Sequence, residues 1–245
     1  MTQYEKDIVK RIMSISGRYA PSTVFFDWVQ MMACAISNSI DINTTIRDVR
    51  EKRYIELMSK YDLNERNIFC EMSALLTLAM EERMGDILGD IYMSSGVYNK
   101  ALGQFFTPYH VCRCMAKMTH PKELLEEYEY IKVNEPSCGG GANVIAFAEH
   151  MKEEGINYQE KMFAVCQDLD WNVVYMCYVQ MSMYGIPAIV VQGNTLMNPY
   201  IGGYDEHVFR TPTYMLNYCK FRNDNKAKEI ELQEEENGQM QLMLV

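Results

Sequence analysis

The sequence predicts an α/β protein: a helical N-terminal region followed by a parallel sheet with helices on its faces. Three observations predict it. Apolar residues recur at helical spacing through the first hundred residues. After residue 130, short apolar runs alternate with helical patterns. A glycine cluster closes the first of those runs. We therefore divide the chain into a helical region at 1–100, a sheet-bearing core at 101–217 and a charged, disordered tail at 218–245.

In the helical region, the stretch from Asp27 to Ile40 places Trp28, Met31, Met32, Ala35 and Ile36 on one face. Arg47 to Ser59 sets Val49, Tyr54, Ile55 and Met58 against charged neighbours, and Glu65 to Arg83 carries Ile68, Phe69, Met72, Leu75, Leu76 and Met80 on a stripe. A shorter helix runs from Asp86 to about Ser94. In the core, Tyr130–Val133, Met162–Cys166 and Ala188–Val191 are strands, with a fourth beginning near His207–Phe209. Helices at Ala142–Glu154 and Trp171–Tyr184 separate the first three. Strand alternating with helix is the pattern of a parallel sheet covered by helices.

The 245 residues carry a formal charge of −10, from 23 basic and 33 acidic side chains. The core is the acidic part, with 7 basic and 13 acidic groups in 101–217. A chain that binds DNA unaided normally shows a basic footprint, because affinity comes largely from neutralising phosphates. No apolar stretch is long enough to span a membrane, and the first residues lack a signal-peptide pattern. The eight cysteines are scattered without a Cys-x-x-Cys, so they read as reduced thiols of a cytoplasmic protein. His110, Cys112, Cys114 and His120 form the one metal-like cluster. Cys112 and Cys114 lie two apart on a predicted helix and point away from each other, so no metal is expected there.

The segment Glu135-Pro-Ser-Cys-Gly-Gly-Gly141 falls between a strand and a helix, where glycines let backbone approach a ligand. A phosphate-binding P-loop needs a lysine that is missing, and a dinucleotide fingerprint needs a glycine where Val144 stands. Asp168 ends the next strand, where an acid can hold ribose hydroxyls. A generic glycine turn, with Asp168 capping the next helix, is the plain alternative. A ribose-bearing ligand without a polyphosphate, such as S-adenosylmethionine, fits these residues best.

Here the chain resembles the N6-adenine DNA methyltransferases, particularly the modification subunit of type I restriction systems. Asp86-Ile-Leu-Gly-Asp-Ile-Tyr92 looks like the helix that leads into the family's first cofactor motif, and Gly103-Gln-Phe-Phe-Thr-Pro108 closely matches that motif. Glu135 to Gly141 is similar to the family's Asp-Pro-x-Cys-Gly-x-Gly loop, Gln167-Asp168 to its ribose site, and Gly193-Asn-Thr-Leu196 to its Gly-Asp-Thr-Leu motif. The resemblance covers roughly residues 86–217. It implies a Rossmann-like, S-adenosylmethionine-dependent core whose sheet is incomplete on its C-terminal side. Phe105, Thr107, Pro108, Glu135, Ser137, Gly139, Gly141, Asp168, Asn194 and Leu196 would bind the cofactor.

The family accepts a flipped adenine at an Asn-Pro-Pro-Tyr/Phe motif that ends its fourth strand. Two segments compete for that place. Asn198-Pro199-Tyr200 has the right composition but follows Asn194 too closely to leave room for a strand. Thr211-Pro212-Thr213-Tyr214 follows the apolar Val208-Phe209 and is preferred, with Thr211, Pro212 and Tyr214 in the catalytic places. Thr211 stands where the family has Asn, and loss of one positioned polar group typically costs on the order of 10²–10³ in rate. The implied function is methyl transfer to the exocyclic amine of adenine in DNA, with another chain, such as a restriction–modification subunit, helping to hold the DNA. The alternative is a catalytically silent, cofactor-binding homologue that acts as an interaction or decoy subunit.

Overall fold

The computed structural model describes residues 1–15, 17–94, 106–217 and 220–221. The tail expected at 218–245 therefore lies almost wholly outside the described residues, as does Phe105.

The N-terminal region is five helices: α1 (Gln3–Ile15), α2 (Pro21–Ile40), α3 (Thr44–Ser59), α4 (Leu63–Glu82) and α5 (Ile87–Met93). Each start has a local cause. Pro21 opens α2 at a position where the missing N–H is not needed. Asn43 caps α3 through its side chain. At α4, Asp62 and Glu65 bond to each other's backbone in a reciprocal capping box. Ile8, Ile12 and Ile15 of α1, at helical spacing, are all buried.

Two further helices, α6 (Tyr109–Lys117) and α7 (Pro121–Glu127), lead into the core. There β1 (Ile131–Glu135), α8 (Ala142–Glu153), α9 (Tyr158–Lys161), β2 (Met162–Asp168), α10 (Trp171–Met183), β3 (Ala188–Gln192), β4 (Val208–Arg210) and α11 (Pro212–Leu216) follow in order. The sheet order is β1-β2-β3-β4. Strands β1, β2 and β3 are parallel, with Val133 opposite Ala164 and Val165 opposite Ile189. Met162, Ala164 and Cys166 of β2 belong to the core shared with the helices. Phe163 and Val165, pointing to the opposite face, meet Tyr130, Tyr214 and Phe221 or pack beside them. That two-sided burial explains why β2 reads as an almost unbroken apolar run.

The expected α/β architecture is present, with one departure. Strand β4 runs antiparallel to β3, pairing Val190 with Phe209. A parallel fourth strand would need a crossover that returns the chain to the start of β3. Residues 193–207 instead make a helix-free loop that turns at the end of β3, where the Gln192 N–H donates to the His207 carbonyl. The chain then runs straight back, so β4 ends beside the beginning of β3.

One core runs from Ile8 of α1 to Phe209 of β4 and includes both the N-terminal helices and the sheet. A buried arginine reinforces this junction. Arg50 of α3 pairs with Asp41 at 2.8 Å and donates to the Val208 carbonyl of β4 at 2.8 Å. Its guanidinium lies 4.1 Å from the centre of the Phe209 ring, and the Tyr204 hydroxyl donates to Asp41 from the other side.

Candidate functional site

At the carboxyl ends of β1 and β2 lies a pocket of about 370 Å³, the place where open α/β sheets bind ligands. The chain order explains how it forms. Strand β1 delivers Glu135 to the rim, the backbone turns through Ser137 to Gly141, and α8 begins at once. Gly141 takes φ +93° at the N-cap of α8, a left-handed conformation that favours glycine. A Cβ there would also sit 2.5 Å from the Met181 methyl and 3.1 Å from Cys177 Sγ. Gly141→Ala should therefore cost roughly 2 kcal/mol, about 4–8 °C in thermal unfolding. A shift under about 1 °C would contradict this account.

The loop is braced from the next strand. The Cys138 N–H donates to the Gln167 carbonyl, and the Gly139 N–H donates to Asp168 Oδ2 at 2.9 Å. Asp168 Oδ1 accepts from the Asp170 N–H, so one carboxylate fixes both walls of the pocket. Phe106 and Thr107 form the facing wall; Phe106 is 3.6 Å from where a Gly139 Cβ would project. Ala142, Val173 and Leu169 supply apolar lining.

Asn143, on the first turn of α8, also lines the pocket. Its Nδ2 donates to Glu135 at 3.1 Å, while its Oδ1 is buried with no hydrogen-bond partner. A buried acceptor left open costs free energy unless a donor arrives. Cys138 is held as a thiol. Its bond with Cys177 favours the thiolate, but burial and the nearby Cys166, Asp168 and Glu135 outweigh that and raise its pKa.

The charges around this end have one sign. Among the described residues, none that lines the pocket is basic, whereas Asp168 and Asp170 are both among them. The sequence has no Lys or Arg between Lys132 and Lys152, nor between Lys161 and Arg210.

The sequence-predicted residues divide into three groups. Thr107, Ser137, Gly139 and Asp168 line the pocket together. Glu135, Gly141 and Pro108 stand behind it: Glu135 orients Asn143, Gly141 caps α8, and the Pro108 carbonyl begins α6 by accepting from Val111 and Cys112. Asn194 is a turn residue whose Oδ1 accepts from the Leu196 and Met197 N–H groups, and Leu196 is 94% exposed. Neither is among the residues lining the pocket.

The expected acceptor residues require a correction. Thr211, Pro212 and Tyr214 lie at the opposite end of the sheet, because β4 runs antiparallel. The Thr211 hydroxyl accepts from the Ala188 N–H and donates to the Ile186 carbonyl, both at the beginning of β3. The Tyr214 ring is 3% exposed and stacks on Phe163, 5.3 Å between centres. Asn198-Pro199-Tyr200, set aside on spacing, is at the pocket's end instead. Gln167 holds it there, donating to the Asn198 carbonyl and accepting from the Tyr200 N–H.

Residues 83–245 match the model of the N-6 DNA methylase family. The chain belongs to this family. The match covers well over half of the sequence and includes the whole pocket, from Phe106 to Val173. The chain therefore carries a DNA N6-methyltransferase-like domain. No curated protein matches the chain. Among the described residues, no group of three or more His, Cys, Asp or Glu is placed to hold a metal ion. No helix among them is long and apolar enough to cross a membrane.

Of the lining residues not expected from sequence, Phe106, Cys138, Gly140 and Ala142 adjoin or interleave the expected ones, whereas Asn143, Leu169, Asp170 and Val173 lie beyond the quoted motifs. Asp170 had a signal, as the side-chain cap of α10 next to the expected Asp168. Asn143 follows the glycine loop with no spacing that marks it, and only the fold brings it to Glu135 and the pocket.

Proposed function

We propose that the pocket binds S-adenosylmethionine and that the chain is the cofactor-holding part of a DNA adenine-N6 methylation system. The observation that carries this reading is a nucleoside-sized pocket at the carboxyl ends of parallel strands, lined, among the described residues, by carboxylates and by no basic side chain. A phosphate-bearing cofactor needs cations or a dedicated phosphate loop. A sulfonium carrying an ammonium group and a ribose needs a carboxylate acceptor, which Asp168 provides.

When bound, this cofactor supplies a methyl group on a positively charged sulfur. The chain's own residues do the rest. Asp168 accepts hydroxyl hydrogens while bracing Gly139. Phe106 and Val173 exclude water from the apolar side, and Glu135 holds Asn143 on the first turn of α8. Methyl transfer itself needs a group at the pocket mouth that accepts the hydrogens of the target amine. With Thr211 and Tyr214 at the far end of the sheet, the segment we propose for this is Asn198-Pro199-Tyr200, which Gln167 of β2 holds through two hydrogen bonds. A partner chain bringing positive charge would hold the DNA, as in a restriction–modification assembly. The distance of Thr211 from the pocket favours, as second reading, a homologue that binds cofactor without transferring methyl by itself.

Calorimetric titration tests the first step. S-adenosylmethionine should bind and ATP should not, and Asp168→Ala should weaken the former at least about tenfold by removing a charged acceptor. Equal binding of ATP, or an unchanged affinity in the variant, would contradict the assignment. Transfer of labelled methyl to unmethylated DNA, with and without a candidate partner, separates the two readings.

A further inference from the structure

Gln180 of α10 is fully buried in a helix that is otherwise apolar on its inner side, from Val173 through Val179. A buried amide is costly unless each polar atom is paired. Here each one is. Oε1 accepts from the Leu88 N–H at 3.0 Å, and Nε2 donates at 2.8 Å to Asp86 Oδ1 and at 2.8 Å to the Gly140 carbonyl. Gly140 lines the pocket, and Asp86 is the N-cap of α5, accepting from the Gly89 N–H. One turn on, the Tyr184 hydroxyl accepts from the Gly85 N–H and donates to its carbonyl. Segment 85–88 is thus tied to α10 at several points, but only Gln180 reaches the glycine loop as well.

We infer that Gln180 is a positioning residue for cofactor binding: it locks the Gly140 carbonyl away from the pocket and joins α5 to the floor of the site. This rests on the reading of the pocket as a cofactor site and assigns a role in it to the N-terminal helices. The residue type follows from the geometry. Two carbonyl-type oxygens require donors and one N–H requires an acceptor, and an amide of glutamine length supplies all three. An apolar side chain would leave the Gly140 carbonyl without a donor and free to rotate, which loosens the peptide planes on either side of it.

The test uses the full chain, with S-adenosylmethionine affinity read by calorimetry and stability by thermal unfolding. Gln180→Met should weaken cofactor binding about tenfold, the cost of one unpaired buried group. Thr211→Val, at the far end of the sheet, should lose at least as much stability and keep its affinity. That contrast separates positioning from a general loss of stability. Gln180→Glu keeps the side-chain shape and the acceptor for Leu88, and serves if the methionine variant does not fold; its affinity should fall in the same direction. Unchanged affinity in the Gln180 variants, or an equal loss in Thr211→Val, would overturn the inference while leaving the cofactor reading intact. Failure of the unmodified chain to bind would overturn the cofactor reading itself, and this role with it.

Discussion

Replacing Arg50 with methionine is expected to destabilise the protein by about 3–5 kcal/mol, the usual result of removing one partner from a buried ion pair. In a chain of this size that corresponds to a fall of roughly 6–20 °C in thermal unfolding. The reason is what Arg50 leaves behind. Asp41 is 7% exposed, and its charge is compensated by the guanidinium at 2.8 Å and by the Tyr204 hydroxyl. Without Arg50 the carboxylate keeps only neutral donors, the Val208 carbonyl loses its donor, and the Phe209 ring loses a cation on its face. The double variant Asp41→Asn, Arg50→Met removes both charges and should recover part of the loss. A single-variant shift below about 1 kcal/mol would mean that water reaches Asp41, and that the α3–β4 junction is wetter than its burial indicates.

Arg50 also shows the limit of sequence reading. In the helical pattern it is one more charged residue on a helix with charges all round, and no spacing rule marks it as buried. Two of its partners lie far along the chain, at Tyr204 and Val208. The elements themselves were far more legible. Strands β1, β2 and β3 and helices α8 and α10 follow from local apolar periodicity, which depends only on neighbours in sequence. The glycine loop was legible for the same reason, since strand, loop and helix are contiguous and their order alone carries Ser137 and Gly139 to the carboxyl end of β1. Asp168 reached the same end because parallel pairing aligns the strands.

Strand β4 marks the boundary. Val208, Phe209 and Arg210 form a strand too short for pattern to fix its direction or its neighbour. Everything placed by it inherits that ambiguity. Thr211-Pro212-Thr213-Tyr214 had the spacing of an acceptor motif, but a motif functions only at the correct end of its strand. Gln180 was hidden differently. A lone glutamine in an apolar helix has no partner in the sequence, and its three hydrogen bonds join residues 86, 88 and 140 only after folding.

The second large effect is expected at Thr211, and it bears on function as well as stability. Thr211→Val preserves shape but removes a hydroxyl that both accepts and donates at the beginning of β3. The Ala188 N–H and the Ile186 carbonyl, each 2.9 Å from that hydroxyl, would be left without it inside the protein, and so would the Tyr214 N–H at the start of α11. At about 1–3 kcal/mol for each stranded buried group, the loss should reach at least about 3 kcal/mol. Urea unfolding should show it as a lower midpoint with an unchanged slope. The cofactor affinity of the variant should equal that of the parent, and so should any methyl transfer once both are measured at a temperature where they remain folded. An acceptor residue would behave in the opposite way: transfer would collapse while stability hardly moved, because a group at a pocket mouth is solvated and replaces no core contact. The two outcomes are far apart. A stable but inactive Thr211→Val would return the acceptor site to the end of β4 and would require that strand to run parallel to its neighbour. A destabilised variant with unchanged affinity and transfer would leave Thr211 as the hydroxyl that fastens β4 and α11 to the beginning of β3, with the chemistry at the other end of the sheet, beside Asp168 and Asn143.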